Sequence, residues 1–186
     1  MEIEILNFIQ TLHTPFGDVV MPLITSLGNA GVFWIILAIV LVIIPKTRKI
    51  GITVSAALVL DLIFCNILIK PLVARIRPFD INTAVELLIS KPRDYSFPSG
   101  HTAASFAASS AIFVTGHRKT GVAAMILAAL IGISRLYLYV HYPTDVLGGL
   151  AIGVGCGICS CFIVNHVMQK IEERKEAEKP EYQEVI

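Results

Sequence analysis

Five apolar segments, at residues 28–45, 50–70, 101–116, 120–138 and 145–167, dominate this sequence. About 20 helical residues cross the hydrocarbon of a bilayer, so each segment spans it or nearly does. Lipid offers no partner to a free backbone N–H or C=O, which makes helix the available conformation. The pattern predicts an all-α, polytopic transmembrane helix bundle of five to six spans. Hydrophobic residues make up 55% of the 186, above the usual share of a soluble domain. The formal charge of +1 gives no reason to expect a nucleic-acid partner.

The loops orient the bundle. Lys46, Arg48 and Lys49 follow the first segment, Arg118 and Lys119 the third, and Lys170, Arg174 and Lys175 the fifth. Alternation puts all three groups on one side, which the positive-inside rule makes cytoplasmic. The plasma membrane is the expected location, with the 71–100 loop and the turn at 139–144 on the non-cytoplasmic face. That face also holds Arg75, Arg77, Lys91 and Arg93, against the rule. Phe33, Trp34, Tyr95, Tyr137, Tyr139 and Tyr142 fall at the same ends, as an interfacial aromatic belt would.

Ile5, Phe8, Ile9 and Leu12 recur at helical spacing among Glu4, Asn7 and Gln10, the pattern of a helix lying on the membrane surface. Residues 19–27, interrupted by Pro22, read either as a re-entrant piece or as half of a sixth span. The first twelve residues lack the basic start and cleavage site of a secretory signal. Residues 1–168 form one expected transmembrane domain, and 169–186 a charged cytoplasmic tail that frays into disorder. Cys65, Cys156, Cys159 and Cys161 lie in apolar runs and read as buried thiols. Cys156 and Cys159 lack the second pair that a zinc site would need, so no metal is expected there. Gly149, Gly153 and Gly157 make a smooth stripe on the last segment, and Ala103, Ala107 and Ala111 do so on the third. Such stripes let helices approach closely.

Three polar clusters gather on the outer face: Lys70-x6-Arg77-Pro78, then Ser96-Phe97-Pro98-Ser99-Gly100-His101, then Ser134-Arg135-x5-His141-x3-Asp145. In order and internal spacing they resemble the type 2 phosphatidic acid phosphatase superfamily. That group includes bacterial lipid phosphatases, glucose-6-phosphatase and the vanadium haloperoxidases. The resemblance runs from Lys70 to Asp145, under half the chain, and implies a lipid phosphate phosphatase similar to undecaprenyl-diphosphatase and phosphatidylglycerophosphatase B enzymes. It further implies that Ser99 and Gly100 help bind the phosphate and that His101 is the general acid protonating the leaving oxygen.

The residue types suit that chemistry. Lys70, Arg77 and Arg135 supply cations for an anionic head group and for the charge building on its oxygens during transfer. Lys70 and Arg77, two helical turns apart, are expected on one helix face unless Pro71 kinks it. Arg75, Lys91 and Arg93 are expected as anchors reaching lipid head groups. Ser99 and Gly100 open a helix whose free N–H groups cradle an anion. Pro143 suits the first turn of the last span, with Asp145 in that turn and His141 just before it. An aspartate there fixes the imidazole tautomer and leaves the other nitrogen free to attack phosphorus, giving a phosphohistidine that water hydrolyses. His13, His117 and His166 match no motif. Asp61, mid-segment, lies about 13 Å along a helix from Lys70; a structural role is expected for it, shared with Asn66 or Ser55.

No cofactor is expected, and the partners are the bilayer and a lipid phosphate. An envelope lipid such as undecaprenyl diphosphate ranks first as substrate, ahead of phosphatidylglycerophosphate and phosphatidate. A lipid phosphotransferase uses the same intermediate. A vanadium haloperoxidase uses the same residues but is soluble, and a non-catalytic lipid-binding protein has no need of two histidines.

Overall fold

The computed structural model describes residues 1–177; part of the expected tail, 178–186, lies outside the described residues. Among the described residues there is helix and no strand. The helices are α1 (Glu2–Thr11), α2 (Pro15–Ser26), α3 (Val32–Ile43), α4 (Arg48–Asp61), α5 (Lys70–Val73), α6 (Pro78–Ile81), α7 (Gly100–Val114), α8 (Arg118–Tyr137) and α9 (Pro143–Ala177). Residues Leu62–Ile69, between α4 and α5, are wound as a π-helix. The helix of α9 runs on into the first part of the expected tail, to Ala177.

Three stretches are long and apolar enough to cross a bilayer: Pro45–Ile81, Arg118–Tyr137 and Pro143–Ala177. The pair Pro15–Ser26 and Asn29–Ile43, bent by 41°, makes a fourth if taken together. By length and composition the count is therefore three to four, so the coarser expectation of a polytopic helix bundle holds while five to six spans are not reached by this measure. The difference lies mainly in α7, whose 15 residues rise only about 22 Å, short of the roughly 30 Å of hydrocarbon.

α7 is the centre of the bundle. Thr102, Ala103 and the unbroken run from Ser105 to Ile112 are buried. Its small side chains leave room for neighbours on every side, and α9 comes closest. A Cβ built on Gly149 would stand 2.6 Å from the Ser99 carbonyl oxygen, and one on Gly157 would stand 2.7 Å from Ser110 Cβ. The two small-residue stripes thus meet, and backbone packs nearly on backbone. Trp34, Ala38, Val54, Ala57 and Ile131 close the core around the α7 alanines.

The expected aromatic belt is largely turned inward. Trp34 is buried and donates its indole N–H to Ser105 Oγ at 2.9 Å. Tyr137, Tyr139 and Tyr142 are buried as well: Tyr137 stacks on His13 and donates to Asp18 Oδ1 at 2.8 Å, while Tyr139 and Tyr142 pack into the turn between α8 and α9. Tyr139 takes the left-handed conformation, φ +59°, at a cost of about 1–3 kcal/mol for a non-glycine residue. Its hydroxyl donates to Asn7 Oδ1 at 2.7 Å. α1 covers this turn by inserting Leu6 among Phe79, Leu138, Tyr139 and Val140. Its other face, with Ile5, Phe8 and Leu12, stays exposed, as a surface-lying helix requires. α1 therefore sits at the same end of the bundle as the polar clusters, while the loop cations of α4, α8 and the end of α9 occupy the opposite end.

Candidate active site

Ser99 is the N-cap of α7 and Gly100 its first residue, so the first N–H groups of the helix have no intrahelical partner. A side chain at Gly100 would crowd this end: its Cβ would come within 3.1 Å of Asn66 Oδ1 and 3.7 Å of Lys70 Nζ. The glycine thus lets the buried ammonium of Lys70 stand against the opening of α7.

Lys70 and Arg77 do not share a helix face. α5 stops at Val73, and Ala74 turns the chain through a left-handed conformation, φ 47°. Arg77 is extended and returns to Lys70 through a third residue. The Asp94 carboxylate accepts from Lys70 Nζ through one oxygen and from Arg77 Nη2 through the other, the latter at 2.7 Å. Arg77 also donates from Nε to the Asp94 carbonyl and from Nη1 to the Val140 carbonyl, both at 2.7 Å. Burial alone would raise the Asp94 pKa. Hydrogen bonds and charge from Lys70 and Arg77 outweigh it and hold the carboxyl well below the usual carboxylate range.

His141 is buried in the turn ahead of α9. Its Nδ1 lies 3.3 Å from Asp145 Oδ2, and its Nε2 lies 3.2 Å from Arg77 Nη1. A guanidinium only donates, so Nε2 is the unprotonated nitrogen and Nδ1–H faces the aspartate. Burial lowers the His141 pKa to about 3; the Asp145 hydrogen bond opposes this, and the Arg77 and Arg135 charges add to it. The imidazole is thus neutral at ordinary pH. Pro143 opens α9 and Asp145 lies in its first turn, as the sequence predicts. Asp145 also accepts from Ser96 Oγ, from the Tyr142 N–H at 2.9 Å and from Arg75 Nη1 at 2.7 Å.

Arg75, expected as a head-group anchor, is committed to this network. Besides Asp145 it donates to Thr144 Oγ1 at 2.7 Å and to Glu2, and its guanidinium lies 3.8 Å above the Tyr142 ring. Lys91 pairs with Asp80 at 2.6 Å.

His101 projects from the first turn of α7, with its Nε2 2.9 Å from Asn29 Oδ1. Arg135 is buried, donates to Thr25 Oγ1 at 2.6 Å, and has a buried Nε with no hydrogen-bond partner among the described residues. A buried cationic donor without a partner is what a site awaiting an anion presents. All eight sequence-predicted site residues thus gather at one end of the bundle.

The family model described as the PAP2 superfamily matches residues 50–171. The chain belongs to the PAP2 superfamily. It is 35% identical over 120 residues to an undecaprenyl-diphosphatase of Sulfolobus acidocaldarius, covering 64% of this chain and 58% of that protein. It is 36% identical over 163 residues to an undecaprenyl-diphosphatase of Bacillus subtilis, covering 84% of this chain and 81% of that one. Its fold resembles LpxE of Aquifex aeolicus, with TM-score 0.73, 31% identity and coverage of 86% and 93%. It also resembles a PAP2-type phosphatidylglycerolphosphate phosphatase of Bacillus subtilis, with TM-score 0.70, 28% identity and coverage of 91% and 85%.

In this PAP2 chain a cavity of about 670 Å³ starts at Lys70, Arg77, His101 and His141 and continues between α3 and α4. Ile35, Ile39, Val59 and Leu62 line it while remaining half-exposed on the flank of the bundle. The cavity is therefore open sideways. Asp61 lines it too; it is 3% exposed, and its Oδ1 has no partner among the described residues. Ser55 does not share its hydrogen bonds, since that hydroxyl donates to the Gly51 carbonyl at 2.9 Å. Arg75, Asp94 and Asn29 are the site residues that the motifs do not reveal. The cations placed against the positive-inside rule are the sequence signal for Arg75, and for Asp94 and Asn29 there is none.

Proposed function

We propose that the chain, a PAP2-type lipid phosphatase, releases phosphate from the head group of an envelope lipid through a phosphohistidine on His141. The carrying observation is the pairing at His141: Nδ1 faces Asp145 and Nε2 faces the Arg77 guanidinium, and both His141 and Arg77 line the cavity. The head group enters among Lys70, Arg77, Arg135 and the N-terminus of α7, with Ser99 and Gly100 at that terminus. These groups offset its charge and the charge on the transferring oxygens. Nε2 attacks phosphorus in line, and the proton on Nδ1 stays with the imidazole and Asp145, which stabilise the cationic phosphohistidine. His101 delivers a proton to the leaving oxygen and then takes one from the water that splits the P–N bond. The products are the dephosphorylated lipid, or the monophosphate from a diphosphate, and inorganic phosphate.

The sideways opening suits a substrate whose tail stays in the bilayer. In this reading α7 and the bent α2–α3 pair complete a five-span domain over residues 1–168, with 169–186 as a tail on the cytoplasmic side. Loop charges support a site on the non-cytoplasmic face of the plasma membrane. Among substrates, undecaprenyl diphosphate is favoured by the names of two relatives, and phosphatidylglycerophosphate by that of one structural neighbour.

The test is phosphate release in detergent from undecaprenyl diphosphate, phosphatidylglycerophosphate and phosphatidate, each in excess EDTA and with vanadate. The expected result is turnover that survives EDTA and is inhibited by vanadate. His141→Ala should lower the rate by about 10³-fold or more while the protein elutes as a folded species. A strict magnesium requirement, or substantial activity in that variant, would overturn the mechanism.

A further inference from the structure

Asp94 stands where the motif residues leave no place for a carboxylate. Its two oxygens bridge Lys70 and Arg77, the same two cations that the proposed mechanism needs for phosphate. It also lines the cavity beside His141. A carboxylate held in this way satisfies two buried cations that would otherwise lack a counter-charge. A phosphate monoester has the same need for those donors and brings more charge and more acceptor oxygens. The two anions exclude one another.

Asp94 can leave. Its side chain is 53% exposed, whereas those of Lys70 and Arg77 are buried. Its carbonyl separately accepts from Arg77 Nε at 2.7 Å, so rotating the side chain toward solvent leaves the loop fastened to Arg77. The movement needs a rotamer change and no backbone rearrangement.

We propose that the Asp94 carboxylate is a built-in competing anion, which occupies the phosphate-binding cations between turnovers and is displaced by the phosphate of the substrate. This rests on the phosphate site proposed above. The carboxylate lowers the apparent affinity of every anion by the fraction of time the cations are free. Weakly bound, singly charged diester head groups, which fill a membrane, are thereby kept out, while a terminal phosphate still enters. The carboxylate also returns as inorganic phosphate departs, which hastens product release.

The experiment measures binding of inorganic phosphate to the full chain in detergent by titration calorimetry, for wild type, Asp94→Asn and Asp94→Ala. Removal of the competitor should tighten phosphate binding about tenfold or more in both variants. In turnover assays, product inhibition by phosphate should strengthen by the same factor. Unchanged or weakened binding in folded variants would overturn the proposal and make Asp94 a scaffold for Lys70 and Arg77. Binding needs no catalysis, so wild-type phosphate release is scored separately. Tighter binding without turnover would reject the phosphatase reading alone, and turnover without tighter binding would reject the competing anion alone.

Discussion

Arg75 shows how much of the site depends on a residue outside the motifs. It is one of four groups that hold Asp145, and the only guanidinium among them. Without it the carboxylate loses a charged partner in a buried setting, an interaction of about 1.5–3 kcal/mol. Arg75→Ala should therefore reduce kcat about tenfold or more with little change in KM, and Arg75→Lys should recover part of the loss. An effect confined to KM would return Arg75 to the role of head-group anchor. A second prediction concerns acid. The unfolded His141 imidazole takes up a proton near pH 6.5, but the folded one does so only near pH 3. Between those values the unfolded chain holds the extra proton, so this contribution to stability is full above pH 6.5 and declines as pH falls toward 3. The unfolding midpoint of the wild type should drop between pH 7 and pH 5 more than that of His141→Gln, measured by thermal scans in detergent. Equal drops would remove His141 as the cause. The motif spacing makes His141, Asp145, His101 and the three cations legible. It cannot reveal Asp94 or Asn29, because a loop residue that meets a motif residue only after folding leaves no local pattern.

Helix contacts make the glycines of α9 unequal. Gly149 faces the Ser99 carbonyl, and a methyl there would stand 2.6 Å away; Gly155 has nothing within 4 Å. Gly149→Ala should destabilise the protein by about 1–3 kcal/mol through overpacking. Gly155→Ala should be neutral or slightly stabilising, since alanine is the better helix former. Thermal midpoints of the two variants check this, and similar shifts in both would remove close packing as the reason. The four-residue glycine spacing is plain in the amino-acid order, because helical period and small size act locally. The π-helical turn over Leu62–Ile69 is not. Side-chain propensities do not distinguish a hydrogen bond to the fourth residue from one to the fifth, and the change of register ahead of Lys70 is set by packing. The same holds for the break at Ala74, which separates Lys70 from Arg77 despite their two-turn spacing.

The molecule as a whole joins a charged end to an apolar flank. The cavity between α3 and α4 connects them, so a bulky side chain at its rim should obstruct long tails more than soluble esters. Val59→Trp should raise KM for a long-chain lipid phosphate about tenfold and raise it less for a short water-soluble phosphate monoester. Phosphate release from both substrates would show this, and equal effects would mean that the tail does not use the cavity. The all-helical membrane fold is legible from hydropathy alone. The number of spans is not, because hydropathy does not separate a helix facing lipid from one hidden behind its neighbours. The buried run of α7 from Ser105 to Ile112 is of the hidden kind. Thinning or thickening of the bilayer strains the outer helices by fractions of a kcal/mol per Å, but it has no direct hold on a rod sheathed in protein. The helix that presents His101 therefore meets the membrane mainly through its neighbours along that buried run, and a change in bilayer thickness reaches it by way of them.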